Sequence, residues 1–308
     1  MSVLPSTPVP SRIQKAVIPA AGLGTRLRPL TRAIPKELLP VGRQPVLAYV
    51  AEELRGAGIT QALFIVSENK PQIRAFFGAE HTGDTARADL PTLRCDYVIQ
   101  KEQRGSGDAL LYAEEWVGAE PFVVAFGDCL IEADPPGDPS EPLRRLMATH
   151  TEHDAAASVL VEAVSWDKVS RYGVLAPERP LPSLPTEPFA AADIIEKPAR
   201  EEAPSNLVVA ARLTLQPAIF PALRRTPLDA RGELNMIDAV RALRRAGAPL
   251  WAVPLRAGEA RRDIGNFESF FAAFVRAALR DPEAGEAARQ AVEEVLHVTE
   301  SPSASDPG

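Results

Sequence analysis

Residues able to do chemistry first concentrate in Ala20-Ala-Gly-Leu-Gly-Thr-Arg26, directly after an apolar run from Lys15 to Ala20. Gly22 and Gly24 let a backbone turn tightly and approach a ligand. Amide groups in such a turn, those of Gly24 and Thr25 among them, can point at phosphate oxygens. Arg26, Arg28, Arg32, Lys36 and Arg43 follow, with Glu37 the one acid among them. A basic island in a chain of formal net charge −7 suggests a small polyanionic ligand. For a bare Gly-x-Gly, a plain β-turn with a solvated basic loop carries equal weight. The Gly-x-Gly-x-x-Gly fingerprint is not completed and no Gly-Lys-Ser/Thr follows, so dinucleotide binding and ATPase activity lose support.

Other candidates stand at the ends of apolar runs. Asp128 closes Phe122-Val-Val-Ala-Phe126, and open α/β sheets place ligands at the carboxyl ends of their strands. Asp263 lies in Arg262-Asp-Ile-Gly265. Taken singly, each Asp reads first as a turn or helix cap. Glu196 and Lys197 precede Pro198. Successive strand residues point to opposite faces, so both reach one ligand only where the strand ends and the chain turns. The plain alternative is a surface ion pair. Gln100 ends another run, and its amide can pair with the donor and acceptor edge of a pyrimidine. The histidines, at 81, 150, 153 and 297, fall outside all of these motifs. Trp116, Trp166 and Trp251 read as packing residues.

The elements that must position these groups alternate. Strands are expected at 15–20, 61–67, 94–100, 122–126 and 156–164, with helices over 46–57 and 106–117. That order argues for an α/β chain with a mostly parallel central sheet, flanked by helices. Pro177, Pro180, Pro182, Pro185 and Pro188 make 176–190 a loop. After it come strands at 191–196, 206–215 and 250–256, and helices near 217–224, 235–246, 266–279 and 283–296. No repeat of fixed period occurs, so no attached left-handed β-helix is expected. Residues 1–11 read as a flexible lead-in, 12–280 as one domain, 281–298 as a C-terminal helix and 299–308 as a flexible tail.

Composition excludes whole classes. An acidic chain with 45% apolar residues is neither disordered nor a general nucleic-acid binder. No apolar run approaches the ~20 residues of a membrane helix, and no signal peptide is evident. Two cysteines outside any metal spacing suggest a reducing, cytoplasmic home.

Gly22-Leu-Gly-Thr-Arg26 with Ile34-Pro-Lys-Glu-Leu-Leu-Pro40 closely resembles the signature of bacterial UTP–glucose-1-phosphate uridylyltransferases, members of the sugar nucleotidyltransferase superfamily. The resemblance continues at Tyr172-Gly173, Ile195-Glu-Lys-Pro198, Ala203-Pro-Ser-Asn-Leu207 and Arg262-Asp-Ile-Gly265, in order along about residues 14–280. It implies a Rossmann-like nucleotidyltransferase fold with a small β-rich sugar-binding part. It also implies an enzyme that joins UTP to glucose 1-phosphate and releases pyrophosphate. The attacking oxygen in that reaction is already anionic, so cations and a metal are needed rather than a strong base.

The resemblance assigns Arg26 and Lys36 to the phosphates of the nucleotide. Ala20, Ala21, Gln100 and Gly105 map to the base pocket; Gly22, Gly24 and Thr25 also take the nucleotide, with the Gly24 and Thr25 amides beside Arg26 at the pyrophosphate. Asp128 and Asp263 would hold one Mg²⁺. Glu196 takes sugar hydroxyls, Lys197 takes the sugar phosphate, and Gly173 lets its backbone approach the sugar. Implied partners are UTP and glucose 1-phosphate, with no nucleic acid and no membrane; a homo-oligomer is allowed.

Some positions depart from the pattern. Gly127-Asp128 replaces two adjacent acids, and Arg26-Leu-Arg-Pro-Leu-Thr31 leans with it toward the thymidylyltransferase branch. Asp108 stands where a His is usual, and Ala211 where a Gly is usual. The segment between about 76 and 93 is shorter than expected, and Asn266-Phe-Glu-Ser-Phe270 lacks the usual Gly and Lys. The same chemistry with dTTP or another sugar therefore stays open. A regulatory paralogue that binds nucleotide sugars is disfavoured, because Arg26, Lys36, Asp128, Lys197 and Asp263 are all present.

Overall fold

Val17 and Ile18 have no exposed surface, and that burial on both sides makes β1 (Lys15–Pro19) a central strand. The computed structural model describes residues 13–78, 92–134 and 137–300, apart from the side chains of 297–300. After β1 come β2 (Pro40–Val41), β3 (Gln44–Pro45), α1 (Val46–Gly56), β4 (Gln61–Val66), α2 (Pro71–Phe76), β5 (Arg94–Ile99), α3 (Ser106–Leu111), α4 (Glu114–Val117) and β6 (Phe122–Ala125). Then follow β7 (Cys129–Ala133), α5 (Glu141–Glu152), β8 (Ala157–Ala163), β9 (Gly173–Pro177), β10 (Phe189–Glu196) and β11 (Leu207–Leu215). The chain continues through α6 (Ile219–Arg225), α7 (Met236–Arg245), β12 (Leu250–Pro254), β13 (Glu259–Asp263), α8 (Phe267–Leu279) and α9 (Gly285–Glu300).

Nine strands form one sheet in the order β5-β4-β1-β6-β11-β8-β12-β10-β9. The first four are parallel, as expected. Beyond them the sheet is mixed: β11 runs antiparallel to β6 and β8, β12 parallel to β8, and β10 antiparallel to β12 and β9. The wholly parallel part is thus the first half of the sheet, and the second half mixes one parallel pair with antiparallel ones. Helices α3, α6 and α7 cover one face over Phe122, Leu110 and Phe220; α1 and α5 cover the other over Leu54, Phe64 and Leu146. A small third core joins Leu27, Ile264 and Phe270 beneath the β7–β13 ribbon.

Strands β2, β3, β7, β9 and β13 and helices α2 and α5 go beyond what the sequence pattern indicates. The helix expected over 106–117 is two short helices. The lead-in 1–11, most of the segment between 76 and 93, and residues 301–308 lie outside the described residues, while 299 and 300 belong to α9 rather than to the tail. Trp116 packs partly buried against the core and Trp251 stacks on His153, but Trp166 is exposed and is no packing residue. Among the described residues, no helix is long and apolar enough to cross a membrane.

His150 on α5 is 1% exposed. Its Nδ1 lies 3.1 Å from the Ser158 hydroxyl and its Nε2 lies 3.3 Å from the Gln216 amide nitrogen. An amide nitrogen only donates, so Nε2 accepts and Nδ1–H donates: the ring is neutral. Burial lowers its pKa to about 4, against the small opposing pull of Asp154. The unfolded chain binds this proton first, at about 6.5. The stability is complete above that pH and is lost as pH falls through about 4, amounting to about 3 kcal/mol. Denaturant unfolding between pH 7 and pH 4 should show this loss. His150→Gln should flatten the curve, and an equally steep variant would refute the assignment.

Candidate active site

The carboxyl ends of the parallel strands form one edge. Ala20 N–H donates to the Ile65 carbonyl at 2.8 Å, and Gln100 N–H donates to the Val66 carbonyl at 2.8 Å. Strand order therefore lines up Gln100, Ser67, Ala20 and Asp128 across β5, β4, β1 and β6. Adjacent strands lie ~4.8 Å apart, so the row spans about 14 Å. Ser67 buries a hydroxyl with no hydrogen-bond partner among the described residues.

After β1 the chain makes three short 3₁₀ turns, at Thr25–Leu27, Leu30–Arg32 and Lys36–Leu38. Gly24 has φ of 62°, and a Cβ there would sit 3.1 Å from the Thr31 methyl, so any larger residue would be strained. Thr31 donates its hydroxyl to the Gly24 carbonyl at 2.8 Å, and the fully buried Leu27 pins the loop to the third core. Arg26 is left exposed over the edge. Arg43 is not part of this island: it donates to Asp281 and Glu283 before α9.

Lys36 reaches back to the glycine loop and forward to Asp128. A Cβ built on Gly22 would lie 3.9 Å from its ammonium, and the ammonium donates to Asp128 Oδ2. Burial works against the charge of Lys36, but Asp128, Glu37 and Asp263 outweigh it and push the ammonium up to about 12. Burial would likewise raise the Asp128 carboxyl, yet Lys36 holds it below its usual range.

Asp263 reaches the same place from the far end of the chain. Antiparallel pairing of β13 with β7 sets it across from Cys129, and Ile264 N–H donates to the Asp128 carbonyl at 3.0 Å. Burial and the nearby Asp128 charge raise the Asp263 carboxyl. A Cβ on Gly265 would meet the Asp263 carboxylate at 3.0 Å, so the glycine leaves room for it. A Cβ on Gly127 would meet the Leu47 side chain at 3.0 Å, so a second acid there would require Leu47 to shift.

A cavity of about 340 Å³ is lined by Arg26, Asp128, Gly173, Glu196, Lys197 and Asp263. Lys197 has φ of 45°, a left-handed conformation that bends the chain out of β10. The turn brings its ammonium to 2.8 Å from Glu196 Oε1, so neighbouring residues share one ligand space. Ala20, Ala21, Gly22, Gly24, Thr25, Gln100 and Gly105 do not line this cavity; they occupy the adjoining loop and strand edge. Gly105 has a local reason of its own: a Cβ there would meet the Leu234 carbonyl at 2.4 Å.

Several contributors were not identified from the sequence. Arg171 and Arg261 line the cavity, and the Arg261 guanidinium lies 4.2 Å from the Tyr172 ring centre. Arg261 is two residues from Asp263, a spacing that puts both on one strand face. Lys70, 7% exposed, donates to the Ala20 carbonyl at 2.7 Å and to both Glu37 oxygens at 2.9 and 2.8 Å. It ties the end of β1 to the Lys36 turn. Burial pushes the Glu37 carboxyl up and the Lys70 ammonium down, and each partner opposes the other's shift. Ala211, φ 59°, occupies the bulge of β11 and lines the cavity.

The family model for the nucleotidyl transferases matches residues 15–279. The UTP–glucose-1-phosphate uridylyltransferase of Mycoplasma pneumoniae is 35% identical over 282 residues, covering 87% of this chain and 94% of the relative. The same-named protein of Streptococcus pneumoniae is 33% identical over 89% of this chain and 93% of its own length. The solved UDP-glucose pyrophosphorylase of Acinetobacter baumannii superposes with a TM-score of 0.80 at 29% identity, covering 92% of this chain and 99% of that one. A UDP-glucose pyrophosphorylase complexed with UDP-glucose gives 0.76 at 32% identity, covering 85% and 97%. Matched along nearly its whole described length, with relatives above 30% identity, this chain belongs to the nucleotidyl transferase family.

Proposed function

We propose that the protein transfers the uridylyl group of UTP to glucose 1-phosphate, giving UDP-glucose and pyrophosphate. A sugar-phosphate oxygen bonds to the α-phosphorus as the bridge to the β-phosphate breaks. The observation that carries the reading is the convergence of Asp128 and Asp263 with the Arg26 and Lys197 cations around one cavity, with Lys36 outside its lining but paired to Asp128. Such a site brings two anions together and neutralises a leaving pyrophosphate without a strong base.

Arg26 and Lys36 bind the leaving phosphates, helped by the amides of Gly24 and Thr25. Ala20, Ala21 and Gly22 form the floor beneath the nucleotide, and Gln100 and Gly105 border the base. The unpartnered hydroxyl of Ser67 stands on the same edge, where a base or ribose group would satisfy it. Glu196 accepts from sugar hydroxyls, Lys197 binds the sugar phosphate, and Gly173 allows close approach.

Two neighbouring carboxylates, one raised by burial and by the other's charge, suit a hard divalent cation. Among the described residues no third acid, His or Cys completes a metal cluster, so substrate phosphates must supply the remaining oxygens. Asp128 and Asp263 would hold Mg²⁺, which supplies charge neutralisation between the two reacting phosphates. Cys95 and Cys129 are both free thiols, in keeping with a reducing, cytoplasmic location.

Pyrophosphate release with Mg²⁺ and glucose 1-phosphate, offered UTP, dTTP, CTP, ATP and GTP in turn, tests the reading. UTP should be used best. A dTTP preference would keep the chemistry and move the protein to the branch that Gly127 suggests; no release with any pair would overturn the reaction. Lys197→Ala should raise the KM for glucose 1-phosphate roughly tenfold to a hundredfold, the value of a lost charge-assisted hydrogen bond. An unchanged KM would remove Lys197 from that role.

A further inference from the structure

We infer that Asp108 sets the polarity of the Gln100 amide and so makes the base pocket a reader of pyrimidines carrying an N3–H, excluding cytosine; this rests on the nucleotidyl-transfer reading above. Gln100 Nε2 donates to Asp108 Oδ2 at 2.8 Å, and Arg104 donates to Asp108 Oδ1 at 3.1 Å. Gln100 is 3% exposed and Asp108 5%. A carboxylate has only acceptors, so the side of the amide that meets it must be the NH₂. Turning the amide over would set its carbonyl against the carboxylate with no proton between them, a costly arrangement in a buried site.

That leaves the Gln100 carbonyl and its second N–H as a ready pair. Uracil offers N3–H as donor and O4 as acceptor, which is complementary. Cytosine offers N3 as acceptor and N4–H as donor, which opposes the pair at both points. A site built to hydrogen-bond one pattern rejects the wrong one strongly, because its own groups are left unpaired. The 5-methyl of thymine lies outside this pattern, so UTP and dTTP are read alike by it.

Asp108 is rigidly placed. It lies in the first turn of α3, whose Gly107 N–H donates to the Leu234 carbonyl at 2.9 Å. Leu234 N–H donates to the Arg104 carbonyl at 2.7 Å, and the Ser106 hydroxyl accepts from Met236 N–H at 3.1 Å. A Cβ on Gly107 would clash with Leu223 at 2.8 Å, so the helix start cannot shift toward a bulkier residue.

The test is equilibrium binding of UTP and of CTP to the full chain with Mg²⁺, by calorimetry, in wild type, Asp108→Asn, Gln100→Ala and the double variant. Asn keeps the shape but offers both a donor and an acceptor, so the amide can turn over. The expected result is a UTP-over-CTP preference that falls at least tenfold in Asp108→Asn, is lost in Gln100→Ala, and does not fall further in the double variant. A purely structural role would weaken both nucleotides equally, and an unchanged ratio in Asp108→Asn would overturn the inference. A further fall in the double variant would overturn it too, since Asp108 would then act without Gln100. Should Asp108→Asn fail to fold, the UTP:CTP ratio in Gln100→Ala alone decides: a retained preference overturns the inference. A protein that binds UTP over CTP yet releases no pyrophosphate refutes the assigned reaction and leaves the amide polarity standing. One that releases it equally from UTP and CTP keeps the reaction and refutes the polarity.

Discussion

Asp128→Asn should lower the rate of Mg²⁺-dependent pyrophosphate release by roughly a thousandfold, about 4 kcal/mol of transition-state stabilisation. Asn is the same size, so the turn after β6 can keep its shape. It cannot carry the charge that Lys36 pairs with and that raises the Asp263 carboxyl. Asp263→Asn should fall comparably, because the proposed Mg²⁺ site draws one of its two protein carboxylates from each residue. The melting temperature of each variant should stay within a few degrees of wild type, which separates lost chemistry from lost fold. Normal turnover in either variant would sink the metal assignment while leaving the nucleotide and sugar contacts to be judged separately.

The second large effect concerns stability. Arg212 has no exposed surface, and it donates to Glu53 Oε1 at 2.9 Å and Oε2 at 2.6 Å. It also donates to the Cys129 carbonyl at 2.9 Å, one residue after Asp128, and to the Ala211 carbonyl at 3.0 Å. Burial pushes the Glu53 carboxyl up, against the pull of Arg212. Arg212→Met strands that acid in the core and should cost about 3–5 kcal/mol in denaturant unfolding. Adding Glu53→Leu should recover much of the loss, because the uncompensated charge is then gone. A single variant as stable as wild type would show that the pair does not hold β11 to the Asp128 turn. A stable double variant with low activity would show that it does so for function.

The Gly22 to Pro40 stretch was legible because its information is local. Left-handed φ at Gly24, the short turns and the basic residues need only their neighbours in the chain. The bend at Lys197 was anticipated for the same reason, since a strand alternates and two adjacent residues converge only at its end. Helix α5 was legible in the same way, since Leu143, Leu146, Met147 and His150 carry helical spacing and are buried, yet no helix is among the elements expected there from the sequence. Strand β13 had no such pattern to find. Its sequence, Glu-Ala-Arg-Arg-Asp, is partly buried at every position and becomes a strand only by pairing with β7.

The chain alone therefore determined the glycine loop, the order of the parallel strands' motifs and the chemistry that a row of cations and acids can perform. Each of those depends on residue type and short spacing. Folding decided the pairings between separate elements: Asp128 with Asp263 through the β7–β13 ladder, Glu53 with Arg212 through the core, Lys70 with Glu37 beneath the loop, and Gln100 with Asp108 between the end of β5 and the start of α3. The last three are buried polar contacts, and in every case the partner is chosen by where the sheet and helices pack rather than by any pattern along the chain.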